Sequence, residues 1–581
     1  MPIHIRPVLP VGVLIASCFA TAVPVRAQSP HCGTTAWMNQ RPASKGMKAQ
    51  SLKQAAGGKP VRTFETAHFA IHYVLKGINR VKTVAADSVL VRKADSLFSL
   101  PANLAEAAVY AKLDSIGAPQ ASYILAVAGY LENARAYYVD TLKMLDPPFN
   151  GPSNYYGTST SPSNRYSVDV ADVGTAEPQY RDSQIYALTY PQGYGGMLLE
   201  NDFLYLSELQ SDGIPGGRPI QSIFKGKVIH DYSVDWDAGL KVTCFHEFYH
   251  SVQFAYTPDP IFHIWYETSA TGMEERKAPE VNDYLQYVPY LFNSLKTVGM
   301  FNYPANDLPT YGNGIYHVFL TQELGVDFDV HVWSRLASNG NRISEALDKT
   351  YSDFGKTPQD VYARFGAQLA FSGTDAKMPM TPFSPDIPLW PQLPHDSVDL
   401  RQAAPYRTAK LPPMSMQLLK LSSVNGTGKA LILQDTVLKP VVVTLAGDTG
   451  GVGFPASRTV SLETLGEAGR ATYLLMTNGT KDRTASGEIR TQKSRRDVVV
   501  YAYPNPLDLK RGIGELDFSS IDNASTVRIY SESGALLRQL AFKPEEPLWS
   551  WDLKDADGNA VKPGIYYYGA DGGSLKTLSI R

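Results

Sequence analysis

The chain has 581 residues, 44% of them hydrophobic, which is enough for several cores and about three or four domains. A formal net charge of -2 excludes a strongly basic chain, so nothing in the charge balance points to nucleic acid or an anionic membrane as partner. Charged residues make up only 19%, while Gly (46), Pro (40) and Tyr (34) are plentiful, the balance of a secreted, turn-rich, partly β protein.

Arg6 gives a short positive flank, and Val8 to Phe19 form an apolar run interrupted by Pro10. Val25-Arg26-Ala27 fits a small-x-small cleavage site, so residues 1–27 are expected to be a signal peptide. Ile15-Ala16-Ser17-Cys18 offers the alternative of a lipoprotein anchored through Cys18. No later stretch reaches the roughly 18 apolar residues that span a membrane, so no transmembrane helix is expected in the mature chain. Residues 28–60, rich in Ser, Gln, Lys, Ala and Gly, read as a flexible leader or short propeptide. The cysteines are Cys18, Cys32 and Cys244. The last two could pair in an oxidising compartment. Cys244 otherwise reads as a small core residue. Cys32 is the sharper case, since its thiolate is a candidate cap for a metal, as in zymogens with a cysteine switch.

Folded structure is expected from near Phe64. In residues 66–73, Phe69, Ile71 and Tyr73 alternate as on a half-buried strand, which leaves His68 and His72 on a solvated face. Residues 84–116 are of mixed, helical character. A longer helix over 121–145 carries Ile124, Val127, Leu131 and Tyr138 at helical spacing and is ended by Pro147-Pro148. A loop over 149–164 leads to a short strand at 166–170. Gly193 to Gly196 precede a strand-like run, Met197 to Phe203. That run is a candidate edge strand for an extended substrate, with an ordinary sheet strand as the alternative. Glu200 and Asp202 could take Ca2+, but two carboxylates do not specify a site.

Residues 243–250 contain His246-Glu247-Phe248-Tyr249-His250, the HExxH pattern. Histidines four apart stand one turn above each other on one helix face and can share a zinc ion, with the intervening Glu as base. The helix is expected from an N-cap at Asp237 to about Tyr256, with Leu240, Cys244, Phe248 and Val252 on its core side. Catalytic zinc needs a third protein ligand. Tyr256 stands where an HExxHxxGxxH pattern would place it, so Asp259, His263 and Glu267 remain as candidates.

HExxH followed by Trp265-Tyr266-Glu267-Thr268-Ser269-Ala270 resembles the gluzincin metallopeptidases. Within that clan, HEFYHSVQFAY, WYETSATGMEE and VNDY are similar to a family of secreted bacterial metalloproteases. The resemblance implies a zincin-like α+β domain over 61–373 with one catalytic Zn2+. It implies His246, His250 and Glu267 as ligands and Glu247 as general base. Thr268 departs from the usual Gly. Residues 309–320 resemble the next helix of related enzymes. Tyr311 and Tyr316, then His317, are candidates to stabilise an oxyanion, with packing as the alternative role.

Residues 374–404 are Pro-rich and read as a linker, and 405–495 as a β-sandwich that could bind substrate or merely act as a spacer. The order YPNP, VRIY, WD, DGN, GIYYY over 498–581 resembles the C-terminal sorting domain of type IX secretion cargo and is similar to Ig-like domains. It implies the secretion machinery as a partner. Asp555 to Asn559 read as a hairpin turn rather than a calcium loop. The expected fold is thus α+β followed by all-β modules. The expected function is a secreted zinc-dependent endopeptidase acting on protein or peptide. The alternatives are a non-catalytic surface-binding protein that retains a zinc site, and a zinc hydrolase of a non-peptide bond.

Overall fold

A mixed five-stranded sheet with helices stacked on it forms the first half of the chain, as seen in a computed structural model. The structure describes residues 31–40, 61–75, 77–82, 121–148, 155–156, 165–181, 184–191, 196–209, 215–304, 307–338, 342–400, 406–422, 429–433, 437–455, 459–461, 471–493, 500–512, 514–520, 526–541, 549–570 and 575–581. The expected signal peptide with Cys18, the helix over 84–116, most of the loop over 149–164 and Gly193 to Gly195 lie outside the described residues.

The first described element is a short helix, α1 (Thr34–Gln40), inside the stretch expected to be a flexible leader. Residues Cys32 to Ala36, which lead into it and form its first turn, are buried, so this part of the leader is a packed piece of the fold. Strands β1 (Arg62–Glu65), β2 (Phe69–Tyr73), β3 (Tyr166–Val170), β4 (Ala187–Thr189) and β5 (Met197–Leu199) line up in the order β1-β2-β3-β5-β4. The parallel pairs β2–β3 and β3–β5 sit between two antiparallel ones. This order decides between the two readings of Met197 to Phe203. Met197–Leu199 is an interior strand, the ordinary sheet strand of the alternative, and the edges are β1 and β4. It also corrects His72, which is 1% exposed because β2 has a neighbour on each side and a covered layer on each face. His68 does reach the rim, where its Nδ1 meets the Glu132 carboxylate at 2.7 Å.

Helix α2 (Ala121–Arg135) passes into a wider turn over Ala136–Thr141 and stops there, short of the expected Leu145. Lys143 in the left-handed region (φ 61) ends it before the prolines are reached. The HExxH helix, α3 (Trp236–Tyr256), starts at the cap Asp235, and Asp237 lies in its first turn, where a carboxylate favours the helix dipole. It stops because Thr257 precedes Pro258 and is driven to extended backbone (φ -163, ψ 132). Leu240, Cys244, Phe248 and Val252 are all buried, as their spacing predicts. Phe248 packs edge-on against Phe69 of the sheet, with ring centroids 5.2 Å apart. Burying one such ring stabilises the fold by roughly 2–3 kcal/mol.

Helix α4 (His263–Lys277) follows a single tight turn over Pro260–Phe262, capped by Asp259. It is flanked by α5 (Leu308–Gly312) and α6 (Gly314–Leu324). A Cβ on Gly272 would sit 2.3 Å from the His317 ring, and one on Gly314 would sit 2.8 Å from Thr271 Cγ2. Only glycine lets α4 and α6 approach this closely, and that approach holds Glu267 over the histidines. Helices α7 (Phe328–Ala337), α8 (Ile343–Asp353) and α9 (Pro358–Leu369) complete the helical layer.

The Pro-rich stretch is not a free linker. Phe383, Ile387, Trp390 and Leu393 are buried in the same core as the helices, and the Trp390 indole N–H donates to the Tyr284 hydroxyl at 3.0 Å. The prolines keep the backbone extended while the apolar residues between them anchor it. His395–Asp399 then pairs parallel with Ser415–Ser422. That sheet of five strands faces a second sheet of four, a sandwich with its own core around Leu419, Leu474 and Met476. Met416, Leu418, Val441, Val443 and Leu475 point the other way, into the core shared with α9. Residues 500–581 form sheets of three and four strands around Trp551, Phe518 and Ile529. Asp555 Oδ1 accepts from the Asp557 and Asn559 amides, so this loop is the expected hairpin turn. Among the described residues, no helix is long and apolar enough to cross a membrane.

Candidate metal centre

The one-turn spacing on α3 brings the imidazoles of His246 and His250 edge to face, with centroids 4.6 Å apart. Both are buried, as is Glu267, which α4 delivers from the neighbouring layer. Glu267 Oε2 lies 3.1 Å from His246 Nε2 and 3.6 Å from His250 Nε2, while its Oε1 is buried without a partner. Burial would raise the Glu267 pKa, but His250 and His246 outweigh it and hold the carboxyl well below the usual range. Cys32 Sγ closes the group, 3.3 Å from His250 Nε2. Cys32, His246, Glu247 and His250 each place one donor atom within 4.8 Å of the others. This buried His/Cys/Glu cluster could hold a metal ion.

The donor set offers imidazole nitrogen, carboxylate oxygen and thiol sulfur to an ion. Each histidine has its far nitrogen occupied, which leaves Nε2 facing the cluster. His246 Nδ1 is bonded to Glu274 Oε1. His250 Nδ1 lies 2.7 Å from Gln253 Oε1, and the Gln253 amide nitrogen donates to Tyr266 O and Ser269 Oγ, which sets its orientation. Such outer partners fix the tautomer and raise ligand basicity. Burial would lower the His246 pKa, yet Glu274 and Glu267 raise it to about 9. Two carboxylates can therefore serve as third donor. Glu247 Oε2 already accepts from the Thr189 hydroxyl at 2.7 Å and the Thr34 hydroxyl at 3.1 Å. Glu267 has one oxygen, Oε1, buried without a partner, and turns the other, Oε2, to both Nε2 atoms.

The remaining candidates separate cleanly. Tyr311 is at the site, buried, with its ring 4.9 Å from that of His31 and its hydroxyl donating to Cys32 O at 3.2 Å. Tyr316 is not. Its hydroxyl meets that of Tyr351 at 2.7 Å and its ring packs against Phe365, because the start of α6 turns that residue toward α8 and α9. His317 is held by Asp329 at 2.9 Å. His263 binds the Tyr303 carbonyl, and Asp259 accepts from the Ile261 amide, so neither reaches the histidines. Glu200 and Asp202 spend an oxygen each on the Val173 and Leu204 amides. Cys32 and Cys244 are both free thiols, so they do not pair.

Sequence reasoning missed Gln253, Glu274, Thr189 and His31. Gln253 lies one turn beyond His250 and Glu274 lies two turns beyond Glu267 on one face, so helical spacing carried a signal for both. Nothing local marks Thr189 or His31, which arrive from distant parts of the chain. His31 Nε2 shares Glu274 Oε1 with His246, and its Nδ1 lies 3.2 Å from Asp283. Burial would lower the His31 pKa, and the Glu274 and Asp283 carboxylates raise it well above the ordinary value. The cavity bordered by His31, Tyr186, Thr243, His246, Glu247 and Glu274 is too narrow to admit water. A larger hollow of about 460 Å³ lies elsewhere, between Ile261, Ile343 and Met414.

No protein-family model matches the chain, and no curated protein matches it. Among solved structures, it is similar to PorZ, a bacterial surface component of the type-IX secretion system of Porphyromonas gingivalis, at 23% identity and a TM-score of 0.13. That match covers 18% of this chain and 15% of PorZ. The adhesin domain of Epf from Streptococcus pyogenes matches at 10% identity and a TM-score of 0.14, over 31% of this chain and 73% of that one. Likenesses this low carry neither fold nor function across.

Proposed function

We propose that the chain is a secreted zinc-dependent endopeptidase of the gluzincin kind, with a zincin-like domain and a C-terminal sorting module that engages a secretion machinery. The observation that carries this reading is the meeting of His246 Nε2, His250 Nε2 and Glu267 Oε2, from two helices, beside Glu247. In it His246, His250 and Glu267 hold the ion. Bound zinc would polarise the scissile carbonyl and make water acidic enough to attack at neutral pH. Glu247 takes the proton of the attacking water and gives it to the leaving amine. The Thr189 hydroxyl, 2.7 Å from Glu247 Oε2, positions that carboxylate. Tyr311 supplies a hydroxyl to the carbonyl oxygen as charge develops on it.

The test is metal analysis joined to a peptide-library cleavage assay on wild type, Cys32→Ala and Cys32→Ala/Glu247→Gln. One zinc per chain in all three, with cleavage in Cys32→Ala that chelator abolishes and Glu247→Gln removes, is the expected result. Bound zinc without any peptide cleavage would favour the non-catalytic binding protein or a hydrolase of another bond.

A further inference from the structure

The segment His31 to Thr34 enters the cluster from outside the sheet and helices that build it. It adds to the edge strand β4. The Tyr186 amide donates to His31 O at 2.7 Å, the Gly33 amide donates to Ala187 O at 3.0 Å, and Cys32 bridges Ala187 in parallel sense. Extended segments bind sheet edges in this way because main-chain bonds supply the affinity. Three groups of the segment then meet three groups that the reaction would need. Cys32 Sγ faces His250 Nε2 at 3.3 Å, the same nitrogen that Glu267 Oε2 approaches at 3.6 Å. Cys32 O accepts the Tyr311 hydroxyl at 3.2 Å. Thr34 Oγ1 donates to Glu247 Oε2 at 3.1 Å.

His31 seals the other side, stacked on Tyr186 with centroids 5.2 Å apart and paired to Glu274 and Asp283. Beyond the segment, α1 lies against β4 and α4, with Trp37 edge-on to Tyr190. Cys32, Gly33, Thr34 and Thr35 are all buried, and the hollow between His31, His246 and Glu247 is too narrow to admit water.

We propose that His31–Thr34 is a built-in plug that keeps the enzyme latent. Cys32 Sγ supplies the fourth donor beside His246, His250 and Glu267, the Cys32 carbonyl stands where a substrate carbonyl would, and Thr34 ties up the general base. Activity appears when the segment is withdrawn. On entering, the thiol gives its proton to solvent. On leaving, Sγ takes a proton back and a water molecule takes the vacated position, with no change of oxidation state. This inference rests on the zinc reading above and adds the regulation of that site.

The test uses the full chain with zinc replaced by cobalt(II), and compares wild type with Cys32→Ala and Cys32→Ser. The plug requires a sulfur-to-cobalt charge-transfer band in wild type that both variants lack. It also requires Cys32 to resist alkylation until chelator is added, with Cys244 as the buried internal reference. Both variants should cleave peptides about tenfold faster or more, the factor expected if at most about a tenth of wild-type chains are open. Thermal melts show whether each variant is folded, and the wild-type spectrum and alkylation need no variant at all. One metal per chain with no sulfur band, and alkylation indifferent to metal, would overturn the plug and leave the zinc centre standing. No metal in wild type or in either variant would overturn both.

Discussion

Gln253 is the most discriminating residue to perturb, because it touches the proposed metal site only through His250. It is fully buried, accepts from His250 Nδ1 at 2.7 Å, and donates to Tyr266 O at 3.1 Å and Ser269 Oγ at 3.0 Å. Gln253→Leu keeps most of the volume and removes all three bonds. Ser269 still donates to Trp265 O, so the loss falls on His250 and the Tyr266 carbonyl. Losing the partner that orients a metal-binding histidine costs about 10–100-fold in metal affinity, or roughly 1.4–2.8 kcal/mol. An orphaned buried nitrogen costs the metal-free fold a further ~1–3 kcal/mol. Competition with a chromophoric chelator reads the first quantity, and denaturant melts of stripped protein read the second. Gln253→Glu, which restores an acceptor, should recover most of the affinity. If Gln253→Leu lowered the melt but left zinc affinity within twofold of wild type, His250 would not be oriented for a metal and the reasoning would fail.

Four other outcomes are expected. Glu247→Gln in a Cys32→Ala background should lose about 10²–10⁴-fold in kcat with unchanged metal content, measured by steady-state cleavage and elemental analysis. Tyr311→Phe in that background should lower kcat, whereas Tyr316→Phe should leave it unchanged and cost about 1 kcal/mol of stability from the lost bond to Tyr351. Burial depresses the His72 pKa to about 4 in the folded chain, against 6.5 unfolded. Stability from keeping His72 neutral is therefore fully present above pH 6.5 and is lost as pH falls toward about 4, by at most about 1.4 kcal/mol per pH unit. His72→Gln should flatten that slope in urea titrations taken across this window. Finally, a fragment ending at residue 373 should be insoluble or molten, because it exposes the faces that cover Met416, Leu418 and Val441, while one ending at 493 should fold. Cooperative unfolding of the shorter fragment would contradict the shared core.

The contrast between Glu267 and Tyr316 shows where local pattern carried the reading and where it stopped. His246 and His250 are related by one turn of one helix, so their meeting is a consequence of backbone geometry. Glu267 comes from a second helix, and its place was legible through its motif. The physical cause, the close approach allowed at Gly272 and Gly314, was not. Tyr316 and Tyr311 lie five residues apart on either side of the α5–α6 break, and that break sends one to the site and the other into the aromatic core. The Pro-rich stretch misled for a related reason. Proline spacing reports an extended backbone, but it says nothing about whether Trp390 and Phe383 find a surface to bury against.

Local pattern was enough to place the helix that carries HExxH, its core face, the change from helical to β-type pattern near residue 400 and the middle sandwich, all of which rest on periodicities of a few residues. The C-terminal sandwich was legible through its resemblance instead. Tertiary packing was needed to leave β4 at a sheet edge, to bring Gln253 and Glu274 to the far nitrogens of the histidines, and to bring His31 and Thr34 into the site beside Cys32. A side chain's partner more than 200 residues away is selected by which surfaces bury each other, and no local spacing encodes that selection.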